Sequence, residues 1–227
     1  MWNLCEESVH IPRQATRDLA GFRSWAVSPR FPERGRIDFL AGDLEVDMSP
    51  EDLLNHGVVK SEIAAIFRLM VAHTGLGEVY VDRARISSPR ADLSVEPDVV
   101  AVFWETLDSG RLKYVSAASG EPDCSIEMEG APDVVVEIVS NSSERKDLVR
   151  LPPLYAAAGI PELWLVDVRK KTIHFEIRSL GPAGYETVKP DAEGWRRSPK
   201  LGHRFRLVRR EMRPGRWIFR LEHDGEG

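Results

Sequence analysis

Glu137 is the residue most out of place in this sequence. It interrupts Val134-Val135-Val136-Glu137-Ile138-Val139, the most apolar run of the chain. A carboxylate buried there without a partner is costly, so a cation, a basic side chain or a proton must offset it. Asp98 is the second carboxylate of interest, because it opens another apolar run, Val99-Val100-Ala101-Val102-Phe103. If the two runs are antiparallel strands, the start of one lies beside the end of the other. Asp98 then neighbours Glu137 at one rim of a sheet. Adjacent carboxylates repel, and their pKa values rise unless a cation sits between them. Mg²⁺ takes hard oxygen ligands and tolerates one or two carboxylates with several waters. The plain structural alternative is that Asp98 caps a strand entry after Pro97 and Glu137 pairs with an arginine.

Several elements must position these two residues. Residues 36–48 read as a hairpin, with Ile37 and Phe39 alternating with polar neighbours and Ala41-Gly42-Asp43 as the turn. Ser49-Pro50-Glu51-Asp52 reads as a helix start. Val59, Ile63, Ile66, Phe67, Met70 and Val71 then form one apolar helical face, and Gly75 and Gly77 end the helix. Strands are expected at 78–87 and 97–103, with a long hairpin loop across the polar stretch 105–130. The run at 134–139 reads as a central strand buried on both faces. A helical segment follows at about 143–158 and stops at Gly159. A strand pair at 163–166 and 172–177 turns at Arg169-Lys170-Lys171. The order implies an α/β fold with a mixed central sheet flanked by helices and extra strands. Residues 1–35 read as an N-terminal extension with a short helix near Ala15 to Phe22, and residues 211–227 as a C-terminal tail.

Composition excludes some classes. The chain has 227 residues, 42% hydrophobic and 30% charged, enough for one buried core. No apolar run approaches the ~18–20 residues of a membrane span, and the N-terminus lacks the pattern of a signal peptide. Cys5 and Cys124 are far apart and read as reduced, cytoplasmic thiols. The net charge of −5 argues against coating nucleic acid through bulk charge. Residues 195–220 nevertheless carry ten arginines and lysines against one acid, Glu211. That stretch could be a phosphate-contacting face, or a solvated surface or subunit contact. No Gly-rich phosphate loop, nucleophile elbow or zinc-ligand cluster is present in the sequence.

The segments Glu96-Pro97-Asp98-Val99-Val100, Ala131-Pro132-Asp133 through Ser140, and Tyr155-Ala156-Ala157-Ala158-Gly159-Ile160-Pro161-Glu162-Leu163-Trp164-Leu165-Val166-Asp167 resemble the Uma-two family of restriction-endonuclease-like proteins. That family lies in the PD-(D/E)xK nuclease superfamily. Gly42, Met48-Ser49-Pro50 and His56 resemble it too, so the likeness spans roughly residues 36–210. It implies a nuclease-like domain over that span and Mg²⁺-dependent hydrolysis of DNA, with Mn²⁺ as a substitute ion. It also implies pairing into homodimers. Asp98 and Glu137 match the carboxylate positions, and the backbone carbonyl of Ile138 would complete the metal ligands. The superfamily's lysine position, two residues after the glutamate, is Val139. Residues 137 and 139 share one side of the strand, so that side has no amine. The resembled family's alternative lysine position is Leu151. Lys146 is the nearest amine left to place the attacking water, with Arg150 as runner-up. Pro152-Pro153 also departs from the pattern, and the helix should bend ahead of it. Glu62 on the long helix could join the metal's surroundings. His56 could orient a phosphate or water, or simply lie on the helix surface. Trp164 and Asp167 read as a core aromatic and a strand-end turn residue. Because the amine is displaced, a catalytically inactive nuclease fold that binds nucleic acid, or an oligomeric structural module, stays open as the alternative.

Overall fold

The computed structural model describes residues 9–117 and 124–225; Cys5 lies outside them. In chain order the strands are β1 (Arg36–Leu40), β2 (Asp43–Asp47), β3 (Gly77–Val81), β4 (Arg85–Ser88), β5 (Leu93–Val95), β6 (Val99–Phe103), β7 (Leu112–Ser116), β8 (Ser125–Gly130), β9 (Val134–Ile138), β10 (Glu162–Asp167), β11 (His174–Gly181), β12 (Gly184–Thr187), β13 (Arg196–Arg197), β14 (Arg204–Arg213) and β15 (Arg216–His223). The helices are α1 (Leu19–Ala26), α2 (Val58–Phe67), α3 (Trp104–Asp108) and α4 (Leu151–Ala158).

The central sheet runs β12-β11-β10-β9-β6-β3. Its β9–β10 pair is parallel and its other pairs are antiparallel. A parallel pair needs a long crossover, and α4 supplies it. One face of the sheet is covered by α2 and the small sheet β13-β14-β15, through Val59, Ile63, Phe67, Phe205 and Leu221. The other face meets α4 and a second sheet, β2-β1-β5-β4-β8-β7, through Leu40, Ile86, Leu93, Leu151 and Tyr155. Strand β9 is therefore buried on both sides, which explains its unbroken apolar run. Trp164 sits fully buried on β10, edge-on to Phe67, Phe175 and Phe205 at 4.9–5.4 Å. Trp164→Ala is expected to cost about 3–5 kcal/mol, read as a lowered urea midpoint.

The structure departs from the sequence reading in five places. The stretch 78–87 is two strands in different sheets, because Asp82 and Arg83 both take positive φ and turn the chain. The stretch 105–130 holds α3 and the paired strands β7 and β8. The helix expected from Ser49 begins instead at Asp52, whose carboxylate accepts from Leu54 and Asn55 N–H, while Ser49 is drawn to Asp47. Strand β1 is buried on both faces rather than one. Lastly, packing crosses both expected domain boundaries. Helix α1, capped by Asp18, packs Phe22 and Trp25 against Ile37 and Phe39, and the hairpin β14–β15 straddles residue 210 and lies on α2.

Ahead of Pro152, where a bend was expected, the chain forms a wide π-type turn, Lys146–Arg150, that runs on into α4. The two prolines then fall in the first turn of α4, where a missing N–H costs little. Gly159, at φ 85°, closes the helix.

Candidate active site

Asp98 stands one residue before β6, whose register pairs Val99 with Val136. One step further along that antiparallel ladder, Asp98 faces Glu137. Alternation puts both on the side of Val100 and Val135, between the central sheet, the second sheet and α4. Both are fully buried.

Their environments differ. Asp98 accepts from Arg36 at 3.0 Å and from the Ile138 N–H at 2.8 Å, and His56 Nε2 lies 3.2 Å away. Burial alone would raise its pKa. The His56 hydrogen bond and the charges of Arg36 and His56 outweigh that and hold it well below the usual carboxylate range. Glu137 accepts a hydrogen bond from Tyr155 at one oxygen. Its other oxygen, Oε2, is buried with no partner among the described residues. Burial, then the charges of Asp147 and Asp98, push Glu137 well above its ordinary value, against the opposing pull of Lys146 and Arg36.

Lys146 points inward. Its Nζ lies 3.1 Å from Asp38 Oδ2 and 3.5 Å from Asp147 Oδ1, and the residue is 8% exposed. Burial opposes the charge, but Asp38, Glu137 and Asp147 together keep the ammonium firmly protonated. Arg150, the runner-up, turns away to Asp43 and Glu45 on β2. Val139 is buried and donates its N–H to Val166 O, so it adds nothing polar from its side chain. Glu62 is not part of the cluster: it accepts from Leu221 N–H at 3.1 Å and faces Arg220 on β15. His56 is not a surface residue. It bridges Glu51 and Asp98 from the turn ahead of α2. Trp164 donates to Glu162, and Asp167 pairs with Arg169 at the strand end.

Four site members escaped the sequence reading. Asp38, on β1, holds Lys146 and accepts Glu96 N–H. Burial pushes Asp147 up to about 6 despite Lys146, and its Oδ1 has no hydrogen-bond partner among the described residues. Tyr155 anchors Glu137 from α4, and Arg36 anchors Asp98 from β1. Above Asp98 a vestibule of about 170 Å³ is lined by Arg36, His56, Lys60, Asp82, Ser140 and Ser142, among others. Arg36 and His56 stand between it and the carboxylate.

The oxygen-rich donor set suits a hard divalent cation, and Glu137 Oε2 is a free buried ligand for one. Both Asp98 oxygens are already engaged, by Arg36, His56 and the Ile138 N–H, so a bound ion would share the carboxylate with these groups or displace one of them. Among the described residues, no group of three or more His, Cys, Asp and Glu side chains forms a ready ion cage. Nor is the basic stretch 195–220 bare: Arg204 pairs with Asp224, Arg206 and Arg210 with Glu222, and Lys200 with Asp133. Among the described residues, no helix is long and apolar enough to cross a membrane.

The Uma2 family, described as "Putative restriction endonuclease", matches residues 19–208. The chain belongs to this family. Uma2 membership takes in α1, which lay outside the span expected from sequence. A crystal structure of a "putative nuclease belonging to DUF820" from Anabaena variabilis ATCC 29413 shares the fold. It aligns with a TM-score of 0.58 at 18% identity, over 82% of this Uma2 chain and 90% of that one. No curated protein matches the sequence.

Lys146→Met is expected to slow any hydrolysis by about 10²-fold or more. It should also cost about 3 kcal/mol, because Asp38 stays buried without its ammonium. Initial rates and urea midpoints, compared with Lys146→Arg, separate the two effects: the arginine variant keeps the charge and most of the stability.

Proposed function

We propose that this Uma2 protein is an endonuclease that hydrolyses phosphodiester bonds in DNA with a divalent cation, Mg²⁺ or Mn²⁺. The observation that carries the reading is the pair of buried carboxylates on adjacent antiparallel strands, one of them with an unpaired oxygen, beside an inward-facing ammonium. Asp98 and Glu137 would hold the cation. Ile138 would add its carbonyl from the strand edge where its N–H already meets Asp98. When bound there, a divalent cation supplies Lewis acidity toward a phosphoryl oxygen and acidifies a water.

The protein's own groups do the rest. Tyr155 fixes Glu137, and Asp38 and Asp147 hold the Lys146 ammonium, whose charge is felt at Glu137. From there Lys146 places the attacking water and stabilises charge growing on the phosphate. Arg36, on the vestibule wall, would meet the phosphate, while Lys60 is held by Glu51 and Asp82 beside it. Arg36 is suited to a double role: it neutralises Asp98 in the resting site and would be available to phosphate if a bound cation supplied that charge instead.

The test is cation dependence. Purified protein should nick supercoiled plasmid in Mg²⁺ or Mn²⁺, stop on chelation, and resume when the ion is restored. DNA binding without cleavage in either ion would instead favour a binding module built on this scaffold.

A further inference from the structure

A cleft of about 670 Å³ opens beside β3, an edge strand of the central sheet, and β7 and β8 of the second sheet. Its walls include Tyr80, Val81, Trp104, Tyr114, Ile126 and Met128. Trp104 is 45% exposed, Tyr114 39%, Ile126 38% and Val81 37%, so four large apolar side chains converge on one open space. That volume is in the ordinary range for a ligand site, ~300–1,000 Å³. The rings are held in place: Tyr80 and Tyr114 join hydroxyls at 2.6 Å and meet edge to face. The three acids that line the cleft are paired, Glu78 with Arg68, Asp82 with Lys60 and Glu127 with Arg23.

The cleft adjoins the candidate active site. Asp82 lines both the cleft and the vestibule, and its N–H donates to the Asp98 carbonyl at 3.3 Å. A strand with its phosphate in the vestibule therefore passes Tyr80 first and meets Trp104, about 20 Å on at the other end of β3, a few nucleotides later. Flat, neutral, exposed aromatics suit the face of a heterocycle, and the tyrosine hydroxyls suit its polar edge. Stacking within a duplex covers both faces of each base, so the matching ligand is an unpaired one.

We propose that this cleft stacks unpaired nucleobases of the strand whose phosphate enters the vestibule. The proposal rests on the nucleic-acid reading of the site, but not on cleavage. Its test is binding of a fluorescein-labelled single-stranded deoxyoligonucleotide to the full chain in chelator, read by anisotropy. Trp104→Ala and Tyr114→Ala should each weaken binding about 5- to 100-fold, and Tyr114→Phe, which keeps the ring but loses the hydroxyl, should weaken it less than Tyr114→Ala. A 2-aminopurine base in the oligonucleotide should be quenched by wild type and less so by Trp104→Ala. Both positions are exposed, and circular dichroism checks that the variants fold. Unchanged affinity in both alanine variants, or no single-strand binding by wild type, overturns the cleft. Ring-dependent binding in a protein that never cleaves would support the cleft and sink the hydrolytic reading alone.

Discussion

Asp98→Ala is expected to abolish cleavage and to destabilise the fold by about 3–5 kcal/mol. The activity loss, on the order of 10³-fold or more, follows from removing a cation ligand at the reacting centre. The stability loss has a separate origin. Arg36 and His56 would remain against the site without their counter-ion, and the Ile138 N–H would lose its acceptor. The pH dependence has a definite sign. The folded-state pKa of Asp98 lies well below its unfolded value of about 3.9, so the folded protein binds fewer protons there. Its contribution is complete above that unfolded value and fades as pH falls toward the folded one. The gap between wild type and Asp98→Ala, measured by urea midpoints, should be widest near neutrality and narrow below about pH 4.

Glu137→Gln should cost as much activity but move stability the other way. Its carboxyl is pushed up by burial and by Asp147 and Asp98, and Oε2 has no partner among the described residues. Above its unfolded value of about 4.3, the folded state holds a proton that the unfolded state has lost, so wild-type stability falls as pH rises from there toward the folded value. The amide removes that penalty and still accepts from Tyr155. Without divalent cation at pH 7, Glu137→Gln should be more stable than wild type by at least about 1 kcal/mol, roughly 2–4 °C in Tm. The advantage should vanish below about pH 4. Calorimetry in chelator at both pH values checks this. A lower Tm for the variant at pH 7 would mean that Glu137 is compensated in the resting fold.

These opposite responses come from two residues that the sequence made visible in the same way, as carboxylates breaking apolar strands. Less of their surroundings was legible. Asp38 looked solvent-facing because Ile37 and Phe39 alternate with polar neighbours. Both faces of β1 are in fact buried, the first against α1 and the second against the main core. Asp147 and Tyr155 were hidden by the wide turn Lys146–Arg150, which breaks the regular helical spacing that would have placed them. The turn between β3 and β4 left no trace because Asp82 and Arg83, neither of them glycine, take positive φ. The basic stretch looked bare because its acids, Asp133, Glu222 and Asp224, lie outside it in sequence and reach it only through the fold. A signal for Asp38 did exist: a second acid beside the apolar pair of a short hairpin, on a strand too apolar to be half wet.

The most direct measurement is Mg²⁺-dependent cleavage of supercoiled plasmid by wild type and Glu137→Gln, purified in parallel and matched in folded concentration. Wild type should convert the plasmid to nicked or linear form, while Glu137→Gln, at least as stable, leaves it intact. Equal cleavage by the two proteins would contradict the assignment of the Asp98–Glu137 pair as the hydrolytic centre.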